Sequence, residues 1–313
     1  MRNILTVSKL LPVLTLSVLA SCGTDSNDTP DNPADENGFR KPTSSSSAFA
    51  NKVYDYTPAP GQFINDTRTG GFTGKETTPE LATAWAEKRL DEGKFVSLGA
   101  FGGYIVVGFD HSIAPGNKDY DFAIKGNATA TSNEPGIVWV MRDENRNGLP
   151  DDTWYQLRGS ETGKPETIEN FTVTYYKPEH AGMPVKWSAS DGTSGEVDYI
   201  KSQHKQDYYY PNWITAESYT LSGTKLQARN VQDNQTGNWD NKPYDYGYAD
   251  NRGSDSFGDA GEWVGFKISD AIDNSGNSVN LPFIDFIKVQ QGVMSQSGWL
   301  GENSCEILSI KDL

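Results

Sequence analysis

GIVWVMRDENRNGLPDDTWYQL, residues 136–157, is the stretch from which the rest of the chain is read. Its two ends, Gly136 to Met141 and Thr153 to Leu157, are rich in Val, Ile, Trp and Tyr, which fit a pleated surface, and each has the length of a strand. The segment between them is dense in Asp and Asn around Gly148 and Pro150, residues that make local turns or accept left-handed backbone. Two strands joined by a polar turn predict a β-hairpin.

The same pattern recurs on either side. Strands are predicted at Phe95–Leu98, Tyr104–Phe109, Asp121–Lys125, Phe171–Tyr176, Tyr219–Leu221, Trp263–Ile268 and Phe283–Val289. In the last of these, Phe283, Asp285 and Ile287 alternate with Ile284, Phe286 and Lys288, which suits a strand with both faces partly covered. No repeat of fixed period is present, which argues against propellers and solenoids. The expected fold is mainly β, a sandwich or jelly-roll-like domain with one short N-terminal helix. That helix runs from Thr78 to Glu92, with Thr78 as N-cap, Pro79 in the first turn and Gly93 as stop. Leu81, Ala82, Trp85 and Arg89 are its expected apolar stripe, laid over one edge or end of a sheet.

The 313 residues carry 27 Lys and Arg against 42 Asp and Glu, a formal charge of −15. Affinity for a phosphate backbone comes from clustered Lys and Arg, so nucleic acid is excluded as an expected partner. Arg2 and Lys9 precede the apolar run Leu10–Ala20, which has the length of a signal-peptide core and is short for a membrane span. The run closes on Leu19-Ala20-Ser21-Cys22, which resembles a bacterial lipobox. Residues 1–21 therefore read as a lipoprotein signal peptide and Cys22 as the lipidated first residue of a mature chain of charge −17. Residues 22–48, poor in large apolar side chains, read as a disordered tether to the membrane. Residues 49–313 read as a single β-rich domain with a long insertion around 201–261. With Cys22 acylated, Cys305 is left without a disulfide partner, and it reads as a small buried residue.

The turn at 143–152 has the oxygen spacing of a calcium loop. Asp143, Asn145, Asn147 and Asp151 stand at the side-chain ligand positions, Leu149 supplies a backbone carbonyl, and Gly148 makes the sharp bend. An oxygen set without His or Cys suits a hard cation, so the expected cofactor is a structural Ca²⁺. Trp154 stands where a bidentate Glu closes an EF-hand, which leaves Asp152 or a distant Asp119, Asp121 or Glu161 to complete the cage. The alternative is a metal-free Asx-rich turn.

No metalloprotease, nucleophile-elbow, phosphate-loop or zinc signature occurs, and a two-carboxylate glycosidase leaves no sequence trace to choose it by. His111, His180 and His204 read as surface or turn residues. The aromatic stretch around Tyr208, Tyr210, Trp213 and Trp239 reads as a surface for a sugar ring or planar ligand, against ordinary burial as the alternative.

The stretches VYDYTPAPGQFIN, GGYIVVGFDHSI, DYDFAIKGN, EPGIVWVMRDENRNGLPDDTWYQLRGSE, YYYPNWI, GYADNRGSD and LPFIDFIKVQ with GWLGENSCEI resemble a family of Bacteroidota cell-surface lipoproteins, some of which carry PKD-like domains. The likeness spans roughly Val53 to Leu313. It implies an accessory component near outer-membrane uptake systems, cobalamin uptake included, and carries over no catalytic motif; the expected function is a non-enzymatic, outer-membrane lipid-anchored protein of the cell surface that binds a small molecule or glycan and passes it to an outer-membrane transporter. A glycan-active hydrolase and a calcium-dependent adhesion or structural module are the alternatives.

Overall fold

A computed structural model describes residues 34–313; the signal segment 1–21 and Cys22 lie outside the described residues. In chain order the elements are β1 Lys52–Thr57, α1 Pro79–Asp91, β2 Val96–Ser97, β3 Tyr104–Ile113, β4 Phe122–Lys125, β5 Gly136–Met141, β6 Trp154–Leu157, β7 Ile168–Tyr176, β8 Val185–Ala189 and β9 Ser194–Val197. There follow β10 Ser218–Lys225, β11 Asn230–Gln232, β12 Trp239–Asn241, β13 Ser256–Phe257, β14 Trp263–Phe266, β15 Ala271–Ile272, β16 Ile284–Gln291, β17 Glu306–Ile307 and β18 Ser309–Asp312. The chain is mainly β, with one α-helix among the described residues.

Two sheets make the sandwich. One is six-stranded in the order β1-β3-β16-β5-β6-β15 and the other four-stranded in the order β13-β14-β4-β18; all their pairings are antiparallel. Alternation decides what lies between them. Val107, Val138, Val140, Ile287 and Val289 of the first sheet share one buried cluster with Phe122, Ile124, Val264, Phe266 and Ile310 of the second. Phe122 and Phe266 stack across β4 and β14 at 5.3 Å. The opposite face of the first sheet carries the intervening residues, among them Lys288 and Gln290. A second four-stranded sheet, β10-β7-β8-β9, has its own core of Phe171, Val173, Tyr175, Val185, Val197 and Leu221. It joins the first sheet through Gln290, whose amide nitrogen donates to the carbonyls of Gly102 and Ser222.

Helix α1 covers the β1 edge, as edge strands require. The Thr78 hydroxyl accepts from Leu81 N at 3.3 Å and Gly93 takes the left-handed conformation, so the expected caps hold. The buried face differs from the expected stripe. Leu81 is 47% exposed, whereas Ala82 and Ala86 are buried and Trp85 stacks on Tyr56. Two alanines let the helix backbone sit close to β1, and Glu87 accepts from Val53 N there.

The expected tether is packed where it is described. Arg40 pairs with Asp285 at 3.1 Å and donates to the Phe109 carbonyl, while Phe39 packs on Phe283. An arginine with a buried carboxylate to meet is enough to lay a polar segment against a domain. The region 201–261 also holds more structure than an insertion implies, since β10 to β13 fall within it.

Candidate cation site and inter-sheet cleft

The turn between β5 and β6 is an antiparallel hairpin connection, as its flanks predict. Its oxygens turn inward onto its own amides. Asp143 accepts from Asn147 N and Gly148 N, Asn145 from Asn147 N, Asn147 from Leu149 N, and Asp152 from Glu144 N and Asn145 N. Asp151 receives the side-chain amides of Asn145 and Asn147. Of the distant carboxylates considered for the cage, Asp119 is exposed and the other two are used elsewhere. Asp121 accepts from Gly116 N and Ile268 N, and Glu161 pairs with Lys164 and Arg229.

A different set of carboxylates converges. One ligand atom each from Glu134, Asp250 and Glu306 lies within 4.8 Å of the others, and this buried acidic triad could hold a metal ion. Short backbone bridges from separate parts of the chain bring it together. Gly136 and Ala249 exchange both amide hydrogen bonds, and Glu134 N donates to the Asp250 carbonyl, which sets the 134–136 segment beside 249–250. Asp250 takes left-handed backbone, at φ 51°, and its carboxylate accepts from the amides of Asn127, Ala128 and Glu306. Asp is among the few side chains that tolerate that conformation. Ser304 N donates to Glu134 Oε1, and Asn127 Nδ2 donates to Glu306 Oε2.

The electrostatics of this cluster are unbalanced. Glu306 Oε1 is buried with no hydrogen-bond partner, and so is Oε2 of the neighbouring Glu302. Burial pushes the carboxyls of Glu134, Asp250 and Glu306 above the usual range, with Asp250 and Glu306 raising Glu134 further, and burial holds Glu302 at about 8. Among the described residues no Lys, Arg or His forms an ion pair with the triad. Hard oxygen donors, one of them orphaned, fit a small divalent cation. Cys305 lies in the sandwich core and outside the ligand set.

The cleft lies between the outer face of the six-stranded sheet and the second four-stranded sheet. It is a cavity of about 190 Å³ lined by Trp139, Gln156, Lys288 and Gln290 on one side and by Asn170, Ser222 and Thr224 among others on the other side. The β7–β10 pairing is irregular here: Glu169 and Asn170 stand opposite the single residue Thr224, and Asn170 is left-handed at φ 54°. Such two-against-one bulges re-aim side chains and gather beside functional sites. Two buried polar atoms in the lining, Trp139 Nε1 and Gln290 Oε1, have no partner.

The aromatic residues expected to form a ligand surface do not act together. Tyr210 is 2% exposed and its hydroxyl donates to the Ala216 carbonyl, so it is a core residue, as are Tyr209, Tyr244 and Tyr248. Trp213 is partly buried against both cores, and Trp239 lies in the short hairpin β11–β12 against Gly298. Tyr208 is half-buried, with its carbonyl accepting from Asn65. Of the four, Tyr210 alone is fully buried, and Tyr208, Trp213 and Trp239 each stay partly exposed in separate places.

His111 is likewise no surface residue. It is 2% exposed in β3 and lies between Asp110 at 2.7 Å and Asp312 at 2.9 Å. The Asp312 carboxylate, with that of Asp110, raises its pKa. A raised folded value means that the contribution is complete below the unfolded pKa of about 6.5 and is lost as pH climbs through the folded value. His111→Gln is therefore expected to lower the melting temperature more at pH 6 than at pH 9. Equal losses at the two pH values would assign His111 a packing role only. Comparison with known proteins finds no matching protein-family model and no matching curated protein.

Proposed function

We propose that the chain is a non-enzymatic, lipid-anchored binding module of the cell surface that captures a small molecule or glycan, as an accessory to nutrient uptake through an outer-membrane transporter. The observation that carries this reading is the inter-sheet cleft, a preformed concave site with buried polar groups left unsatisfied. The resemblance to Bacteroidota surface lipoproteins, cobalamin-uptake accessories included, supports the same reading. A calorimetric screen of the full chain in detergent against mono- and oligosaccharides, sugar acids and cobamides tests it. Saturable binding without product release is expected; release of cleaved sugar would instead establish the hydrolase alternative. For that alternative, Asp273 at the cleft is a poor general acid, because hydrogen bonds from Asn277 hold its carboxyl below the usual range.

The cofactor in this proposal is a structural Ca²⁺ held by Glu134, Asp250 and Glu306, in place of the hairpin at 143–152. A dissociation constant on the order of 0.1 mM, ordinary for extracellular modules, would give about 2.7 kcal/mol at 10 mM Ca²⁺. That corresponds to a rise of roughly 5 °C in melting temperature for a domain of this size. The rise is expected in the parent and in Asp143→Ala and should vanish in Glu306→Gln. The reverse pattern would move the ion to the hairpin.

A further inference from the structure

Lys288 is the one cationic side chain lining the cleft, which Glu169 and Asp273 also line, and among the described residues no carboxylate forms an ion pair with it. Its ammonium lies 4.8 Å from the Trp139 ring centroid, 5.4 Å from Trp154 and 5.8 Å from Tyr104. Burial pulls its pKa down to about 8 against the weaker pull of Asp55. An amine held against three aromatic faces and beside a cavity is a fixed point of positive potential. The indole N–H of Trp139 adds a donor without a partner, and Gln290 Oε1 adds an acceptor without one on a side chain 3% exposed. Gly223 is what lets β10 approach that amide, because a Cβ there would fall on Gln290 Oε1.

We infer that this cleft binds a small hydroxylated carboxylate of the sugar-acid class, with Lys288 and the Trp139 N–H on the carboxylate and Gln290 Oε1 accepting from a hydroxyl. One ammonium matches one negative charge. Glu169 and Asp273 also line the cleft and disfavour a dianionic phosphate, while offering acceptors to further hydroxyls. The size of the cavity limits the bound portion to a single sugar unit, either free or at the end of a chain. This inference rests on the reading of the protein as a ligand-binding module and names the ligand class of its site.

Titration calorimetry of the full chain in detergent with D-glucuronate, beside D-glucose and a panel of neutral glycans, tests it. Glucuronate is expected to bind saturably and glucose not to bind measurably. Lys288→Met, which keeps the aliphatic stem, should weaken glucuronate binding at least tenfold, as expected for loss of a charge-assisted hydrogen bond. Trp139→Phe, which keeps an aromatic ring and removes the donor, should weaken it severalfold, and it decides the question if Lys288→Met does not fold. Unchanged glucuronate affinity in both variants overturns the site assignment. Failure of glucuronate while a neutral glycan still binds parent and variants alike overturns the ligand class and leaves the binding-module reading standing. Failure of every ligand in the wider screen overturns both.

Discussion

Asp250→Ala is expected to lose on the order of 3 kcal/mol of stability, a substantial part of what a typical domain has. The carboxylate accepts from three backbone amides, at Asn127, Ala128 and Glu306, and all three would be left without it. The Glu306 amide is buried, and such an amide costs about 1–3 kcal/mol when it loses its partner, while the part-buried amides of Asn127 and Ala128 can turn to water and cost less. Alanine must also hold a φ of 51°, which aspartate tolerates better. Asp250→Asn keeps one oxygen for Asn127 and Ala128 but turns an amide toward the Glu306 N–H, so an intermediate loss is expected. Urea unfolding followed by near-ultraviolet circular dichroism would read the order parent, Asn, Ala. An alanine variant within about 1 kcal/mol of the parent would show that these loops find other partners.

The second large effect couples calcium to pH. Burial raises Asp250 to about 7 and Glu306 to about 8, against unfolded values near 4. For carboxyls raised in the folded state, stability is complete below the unfolded pKa and falls as pH climbs through the folded values. The chelated protein is therefore expected to lose more than about 5 °C in melting temperature between pH 5.5 and 8.5. Calcium requires the deprotonated ligands, so its stabilising increment should grow over the same interval. Melting curves at four pH values with EGTA or 10 mM CaCl₂ would show the two trends diverging. A calcium increment independent of pH would separate the ion from this triad.

The strands that carry an apolar rhythm could be read from the sequence. Gly136–Met141 and Trp154–Leu157 pair where their composition places them, and Phe171, Val173 and Tyr175 alternate into their core. Ser194–Val197 and Ser309–Asp312 carry no such rhythm, because short edge and closing strands are held by ladder hydrogen bonds more than by burial. The acidic triad left no local signature. Its members stand at 134, 250 and 306, and it takes the pairing of Gly136 with Ala249, the bond from Glu134 N to the Asp250 carbonyl and the seating of Glu306 on Asp250 to bring them together. The cleft was hidden for a related reason. Lys288 was visible as the polar member of an alternating strand, but the rings around it come from three other strands, β3, β5 and β6. Within the aromatic run at 208–213, Tyr209 and Tyr210 turn inward while Tyr208 and Trp213 stay partly exposed, because tyrosine serves burial and display equally well and sequence does not say which face of a loop turns inward.

The packed segment that contains Arg40 decides how the domain would bear a mechanical load. Its guanidinium grips Asp285 of β16, its backbone exchanges hydrogen bonds with Ser112, and the chain then runs beside β18 through Ala48 and Ala50. A pull arriving from the N-terminal side thus reaches an interior strand of the six-stranded sheet and the C-terminal strand before it reaches the edge strand β1. Several hydrogen bonds and an ion pair therefore stand between such a pull and the edge strand β1. A protein held at its N-terminal end would in this way keep its sheet closed under drag.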